Sequence, residues 1–144
     1  MTYIPPIPEL SVYGVLEAGT PNRERICLRP SEEVNLAHFA MLLAIRNNTT
    51  GELTPMPDHL FWFGEQIVSP PSWLILFSGK GERRTTIEKG RPVHLFFWGK
   101  EHVLFNVLPN VTIVPVVFRI GSLNAIPVLP SAEQAKQLLD KKVG

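Results

Sequence analysis

Apolar and polar residues alternate along much of this chain with a period of two, the period of a strand buried on one face. Residues 11–16 run Ser-Val-Tyr-Gly-Val-Leu, and Gly19-Thr20-Pro21-Asn22 supplies a turn after them. Residues 23–29 continue with Ile26 and Leu28 on one face and Arg25, Cys27 and Arg29 on the other. Pro30-Ser31-Glu32-Glu33 makes a short turn, after which Val34-Asn35-Leu36 opens either a strand or a helix. The Ala- and Leu-rich stretch 36–45 leaves the same two alternatives, but the polar turn at Arg46-Asn47-Asn48-Thr49-Thr50-Gly51 cuts it short for a helix. Residues 41–46 are therefore assigned to a strand.

Three runs of large apolar residues predict strands with little polar face: Leu60-Phe61-Trp62-Phe63, residues 73–77 and residues 93–98. Pro70-Pro71 separates the first two, and residues 85–88 alternate between the second and third. Gly99-Lys100-Glu101 reads as a tight hairpin turn leading into a strand over 102–105. Residues 112–120 form the last strand, where Pro115 implies an edge position or a bulge because proline cannot donate to a ladder. Ser131-Ala132-Glu133-Gln134 has the form of a capping box, and Ala135, Leu138 and Leu139 follow at helical spacing. Lys141 and Lys142 suit the negative end of that helix. The fold expected is mainly β, a sandwich or barrel of short antiparallel strands with a short C-terminal α-helix. Three parts are delimited: a Pro-rich arm over 1–10, the β domain over 11–130 and the helix over 131–142.

Composition narrows the functional classes. With 144 residues, 44% of them apolar, the chain is long enough for one domain with a real core. Its 14 prolines and 10 glycines favour short elements joined by turns. A formal charge of +1 gives no global attraction to nucleic acid or an anionic membrane. Cys27 is the single cysteine, which excludes an internal disulfide and a cysteine-rich zinc site. The N-terminal residues lack the basic start and apolar run of a signal peptide, and no apolar stretch approaches the roughly 20 residues of a membrane span. A cytoplasmic location without membrane contact is expected.

Several segments carry a resemblance. Glu24-Arg25-Ile26-Cys27-Leu28-Arg29, Val34-Asn35-Leu36-Ala37-His38-Phe39 and the stretch from Val68-Ser69-Pro70-Pro71 through Trp73 to Ser78-Gly79-Lys80-Gly81 follow one another in the order seen in the lamin-tail domain. The last is similar to that family's proline turn leading into a strand that ends at Gly-Lys-Gly. His38-Phe39 stands where the family commonly has Gly-Trp, and Pro70-Pro71 where it has Pro-Gly. The resemblance covers 23–120. It implies an immunoglobulin-like β-sandwich serving as an adhesion or interaction module, with no catalytic residues to carry over.

Candidate chemistry is sparse. Between Gly79 and Lys100 six cations, Lys80, Arg83, Arg84, Lys89, Arg91 and Lys100, face only Glu82 and Glu88, so this window is a candidate anion or nucleic-acid site or else a solvated loop. It lacks the spacing of a P-loop. His38, His59, His94 and His102 show no ligand spacing, although His94 and His102 would face one another across the expected hairpin. Cys27, Ser78 and Asp58-His59 sit in no nucleophile motif. No metal or other cofactor is expected, and an enzyme is not. Alternation sends some of Phe61, Trp62, Phe63, Phe96 and Trp98 outward, which would leave an apolar patch for a protein partner or a second copy. The leading reading is a non-enzymatic interaction or assembly domain, with nucleic-acid binding through residues 79–100 as the alternative.

Overall fold

The computed structural model describes residues 5–125 and 132–143. Among the described residues ten strands precede one helix in chain order: β1 (Leu10–Leu16), β2 (Arg25–Pro30), β3 (Val34–Asn35), β4 (Phe39–Asn47), β5 (Leu53–Trp62), β6 (Ile67–Val68), β7 (Trp73–Phe77), β8 (Arg84–Glu88), β9 (Arg91–Phe97), β10 (Val111–Arg119) and α1 (Ala132–Val143). A 3₁₀ turn over Leu36–His38 joins β3 to β4. The protein is mainly β with a short C-terminal helix. The serine of the expected capping box, Ser131, and the arm residues Tyr3 and Ile4 lie outside the described residues.

Five strands form one sheet in the order β1-β2-β7-β9-β8, three form a second in the order β10-β4-β5, and β3 and β6 make a short ribbon. The core lies between the two larger sheets. Ile26, Leu28, Leu74, Leu76 and Phe96 come from the five-stranded sheet, and Phe39, Met41, Leu43 and Ile113 from the three-stranded one. Phe63 lies just beyond β5 and stacks edge-on with Phe96 at 5.4 Å, while its neighbour Phe61 meets Phe63 at 5.3 Å. Residues 41–46 are indeed strand. Met41 and Leu43 are fully buried with the half-buried Leu42 between them, and the segment pairs with β10 on one side and β5 on the other, which settles the helix alternative.

Two corrections concern the later strands. The expected hairpin at Gly99-Lys100-Glu101 does not form, and residues 102–105 are not a strand. The tight turn is Lys89-Gly90, with both residues at positive φ (50° and 76°), the pattern of a type I′ turn between Glu88 and Arg91. Beyond β9 the chain runs on beside the end of β7: Trp98, Gly99 and Lys100 donate their N–H groups to Phe77, Gly79 and Ser78. β9 inserts between β7 and β8 and pairs with β7 in parallel, so the five-stranded sheet is mixed and not wholly antiparallel.

A buried carboxylate explains why residues 102–105 leave the ladder. Glu24 is 0% exposed. Its Oε1 accepts from the N–H of Gly19 (3.0 Å) and of Phe105 (2.7 Å), and its Oε2 from the N–H of Leu104 (2.8 Å). The backbone donors that a strand would spend on a neighbour are spent on this side chain, which anchors Leu104 and Phe105 into the core. Burial works to raise the Glu24 pKa, but the N–H groups of Leu104 and Gly19, the Ser78 hydroxyl and the Phe105 N–H outweigh it and hold the pKa below 4.5.

β5 begins seven residues before the expected run at Leu60. Pro55 and Pro57 argue against a central strand, but β5 is an edge, where a missing N–H costs nothing. The register slips between Leu42 and Ala44, with Asp58 at φ 60°, so Pro57 falls in a bulge while Pro55 stays in register opposite Ala44. β10, which carries Pro115, is likewise an edge. At the N-terminus, Pro8 and Glu9 accept bonds from the side chain and backbone N–H of Ser31, and Ile7 packs on the core. Glu9 also pairs with Arg119 of β10.

Candidate interaction surfaces

Of the five aromatics expected on an exposed face, the structure sends most inward. Phe63 and Phe96 are fully buried, so they line no surface. Phe61 and Trp98 pack against the core and against each other, 5.8 Å between ring centroids. Trp62 alone is largely exposed, at 52%. Its indole N–H donates to the Ala37 carbonyl at 2.9 Å, fixing the ring at one end of β5.

Trp62 belongs to a wider surface, the outer face of the three-stranded sheet. Because Met41 and Leu43 point into the core, the intervening positions of β4 and their direct partners point out. Ala40 is flanked by Trp62 and Phe118, Leu42 by Leu60 and Val116, and Ala44 by Pro55 and Val114. Every one of these nine side chains is apolar. Leu60 is 59% exposed, and the larger side chains close over Ala40 and Ala44. The first polar partners, Arg46 with Thr112, come at the end of the strands. The sequence signal for this face was present in Val114, Val116 and Phe118 of β10, which are apolar like Ile113, Pro115 and Val117 interleaved with them. A strand apolar on both faces in a two-layer fold leaves one of them to solvent or to a partner.

The outer face of the five-stranded sheet is also rich in large apolar side chains, among them Trp73, Ile75 and Phe77 of β7 and Leu95 and Phe97 of β9. Here the protein covers its own aromatics. The Arg29 guanidinium lies 4.7 Å from the Trp73 ring and 5.6 Å from Tyr13, Arg25 lies 5.8 Å from Phe77, and Arg84 5.8 Å from Phe97. Phe77 and Phe97 stack at 5.2 Å with their planes 11° apart. Glu17 accepts from Arg25 at 2.5 Å, and that bond holds the Glu17 carboxyl below its ordinary pKa. An open concavity of about 370 Å³ lies over this face, with Cys27 at its floor. Burial raises the Cys27 pKa, which keeps the thiol protonated and unreactive.

The six cations between Gly79 and Lys100 do not form one patch. Lys80 pairs with Glu101 at 2.7 Å, and Lys100 donates to the Asp58 carbonyl at 2.6 Å. Arg83 is a structural residue: it donates to the Phe63 carbonyl (2.5 Å) and to Gln66 Oε1 (2.7 Å) and covers the Phe96 ring at 4.4 Å. Lys89 and Arg91 flank the β8–β9 turn, and Arg84 lies on the aromatic face just described.

His94 and His102 are not opposed. The Nδ1 of His94 lies 2.9 Å from Thr85 Oγ1 and 3.1 Å from Gln66 Nε2, and burial, then the charge of Arg83, lower its pKa. The ring of His102 lies near His59 instead, 6.4 Å away. Among the described residues no three of His, Cys, Asp and Glu are grouped as a metal site would need. No helix among them is long and apolar enough to cross a membrane. No family model, curated protein or solved structure matches the chain.

Proposed function

We propose that this protein is a non-enzymatic assembly domain, and that two copies associate through the outer face of the three-stranded sheet. One observation carries the reading: Leu60 and Trp62 stand 59% and 52% exposed on a face whose paired positions from Ala40 to Ala44 are all apolar. Burying such a surface yields about 25 cal/mol for each Å² removed from water. A second copy is the occupant favoured, because an uncharged apolar sheet face is complementary to itself and needs no counter-charge from a different partner. The other large face is already shielded by Arg25, Arg29 and Arg84. The resemblance to lamin-tail domains agrees with this role, and on that basis we assign the fold to the immunoglobulin-like sandwiches. The single buried cysteine accords with a reducing, cytoplasmic setting.

Sedimentation velocity of the purified protein and of Leu60→Asp tests the reading. The native protein is expected to gain mass with concentration, and Leu60→Asp to weaken that association at least tenfold without loss of fold. A native protein that stays monomeric throughout would refute it.

A second reading has one observation in its favour, the three arginines poised over aromatic rings on the five-stranded sheet. Such a platform suits the bases and phosphates of a single-stranded nucleic acid. Fluorescence anisotropy with a labelled oligonucleotide across salt concentrations decides it. Binding that weakens with salt and with Arg29→Ala supports the platform, and no binding at low salt rejects it.

A further inference from the structure

We propose a second contact between copies of this chain: the free edges of two β8 strands pair antiparallel about a two-fold axis at Thr86, joining two five-stranded sheets into one. β8 is the last strand of its sheet, and Arg84, Thr85, Ile87 and Glu88 are all exposed. Ile87, at 67%, points away from the aromatic face, beyond the reach of the narrower three-stranded sheet.

The β8–β9 register fixes which backbone groups are free. Glu88 and Arg91 close a two-residue turn and form a hydrogen-bonded pair, so Glu88, Thr86 and Arg84 direct their N–H and C=O groups at β9. Those of Thr85 and Ile87 therefore point outward. Centring the pair of strands on Thr86 sets Thr85 opposite the partner's Ile87 and Ile87 opposite the partner's Thr85, the arrangement in which facing residues exchange both backbone bonds. The same register sets Arg84 opposite the partner's Glu88 and Glu88 opposite the partner's Arg84. These are non-hydrogen-bonded positions, where facing side chains come closest and opposite charges attract most effectively.

An edge carrying one sign of charge repels its copy, the usual protection against edge pairing. Here the two signs are placed symmetrically about Thr86, so the edge complements itself. Arg83, which would fall opposite the partner's Lys89, is turned away into its bonds with Phe63 and Gln66. Five residues bury little area, so the contact is weak alone and depends on concentration. It shares no residue with the flat face proposed above. Two different two-fold contacts on one chain carry assembly beyond the dimer.

The experiment uses the full chain with Leu60→Asp, which removes the flat-face contact, and reads mass by sedimentation velocity. This protein is expected to dimerise through β8. Adding Arg84→Glu or Glu88→Arg sets like charges opposite each other and weakens the dimer at least tenfold. Mixing those two variants one to one restores complementarity at both positions, and a dimer that neither variant forms alone at that concentration returns. Monomers in the Leu60→Asp background, single variants that dimerise as strongly as their parent, or a mixture that does not recover would each overturn the β8 contact. None of these results bears on the flat face, which the comparison of native protein with Leu60→Asp reads separately.

Discussion

Glu24 ties three separate stretches of chain together through one carboxylate, and its replacement has a defined cost. Glu24→Gln keeps the shape but turns an amide N–H either against the backbone N–H of Leu104 or against those of Gly19 and Phe105, and is expected to lose about 2–3 kcal/mol. Urea unfolding at neutral pH measures this. The pH dependence has a fixed sign. A carboxyl whose folded pKa lies below its unfolded value of about 4.5 contributes stability that is complete above that value and is lost as pH falls through the folded one. The native protein should therefore lose stability below pH 4.5 more steeply than Glu24→Gln, and parallel curves for the two would refute the assignment. Arg83 makes a second case at this scale. Arg83→Ala strips the Phe63 carbonyl and uncovers Phe96, at an expected cost of about 1–2 kcal/mol, whereas Arg91→Ala stays within about 0.5 kcal/mol, both by urea midpoint. Neither role was visible in the sequence. Glu24 precedes an alternating run and Arg83 stands in a cluster of cations, and only the fold brings the distant N–H groups and carbonyl to them.

At the scale of elements, period-two patterning located most of the strands because a sheet with one buried face imposes it residue by residue. Residues 23–29 are the clearest case, with Ile26 and Leu28 turned into the core, whereas 73–77 stood out as an unbroken apolar run of which Leu74 and Leu76 are the core members. The pattern failed where something other than a neighbouring strand satisfies the backbone, as at 102–105. It also misplaced a turn. Gly99 looked like the hairpin glycine, but Gly90 is, and Lys89 before it lacks the Asn or Asp that usually marks a type I′ turn. Gly90→Ala should cost about 1 kcal/mol and Lys89→Asn should add a few tenths, by thermal unfolding. Gly81 has a different constraint: a Cβ there would collide with the Phe97 ring. Gly81→Ala must displace that ring from its stack on Phe77, a change readable in the near-ultraviolet circular dichroism.

For the molecule as a whole, the sequence pointed to apolar surface left outside by the apolar strands, and of the five aromatics named for it Trp62 alone is largely exposed. Phe63 and Phe96 were named for bulk, and bulk took them to the core. Leu42, Val114, Val116 and Phe118 are individually ordinary and gain meaning only when β10 and β4 align them. The resulting molecule has one large face shielded by its own arginines, one unshielded, and an edge strand whose charges complement a copy of themselves. The measurement that bears most directly on this picture is sedimentation velocity of the native protein and Leu60→Asp over a concentration series reaching about 100 μM, where contacts of modest area become populated. A native protein that gains mass as concentration rises, with that gain weakened at least tenfold by Leu60→Asp, is the expected result. A native protein that remains a monomer throughout, or a Leu60→Asp variant that associates as strongly as the native chain, would contradict it.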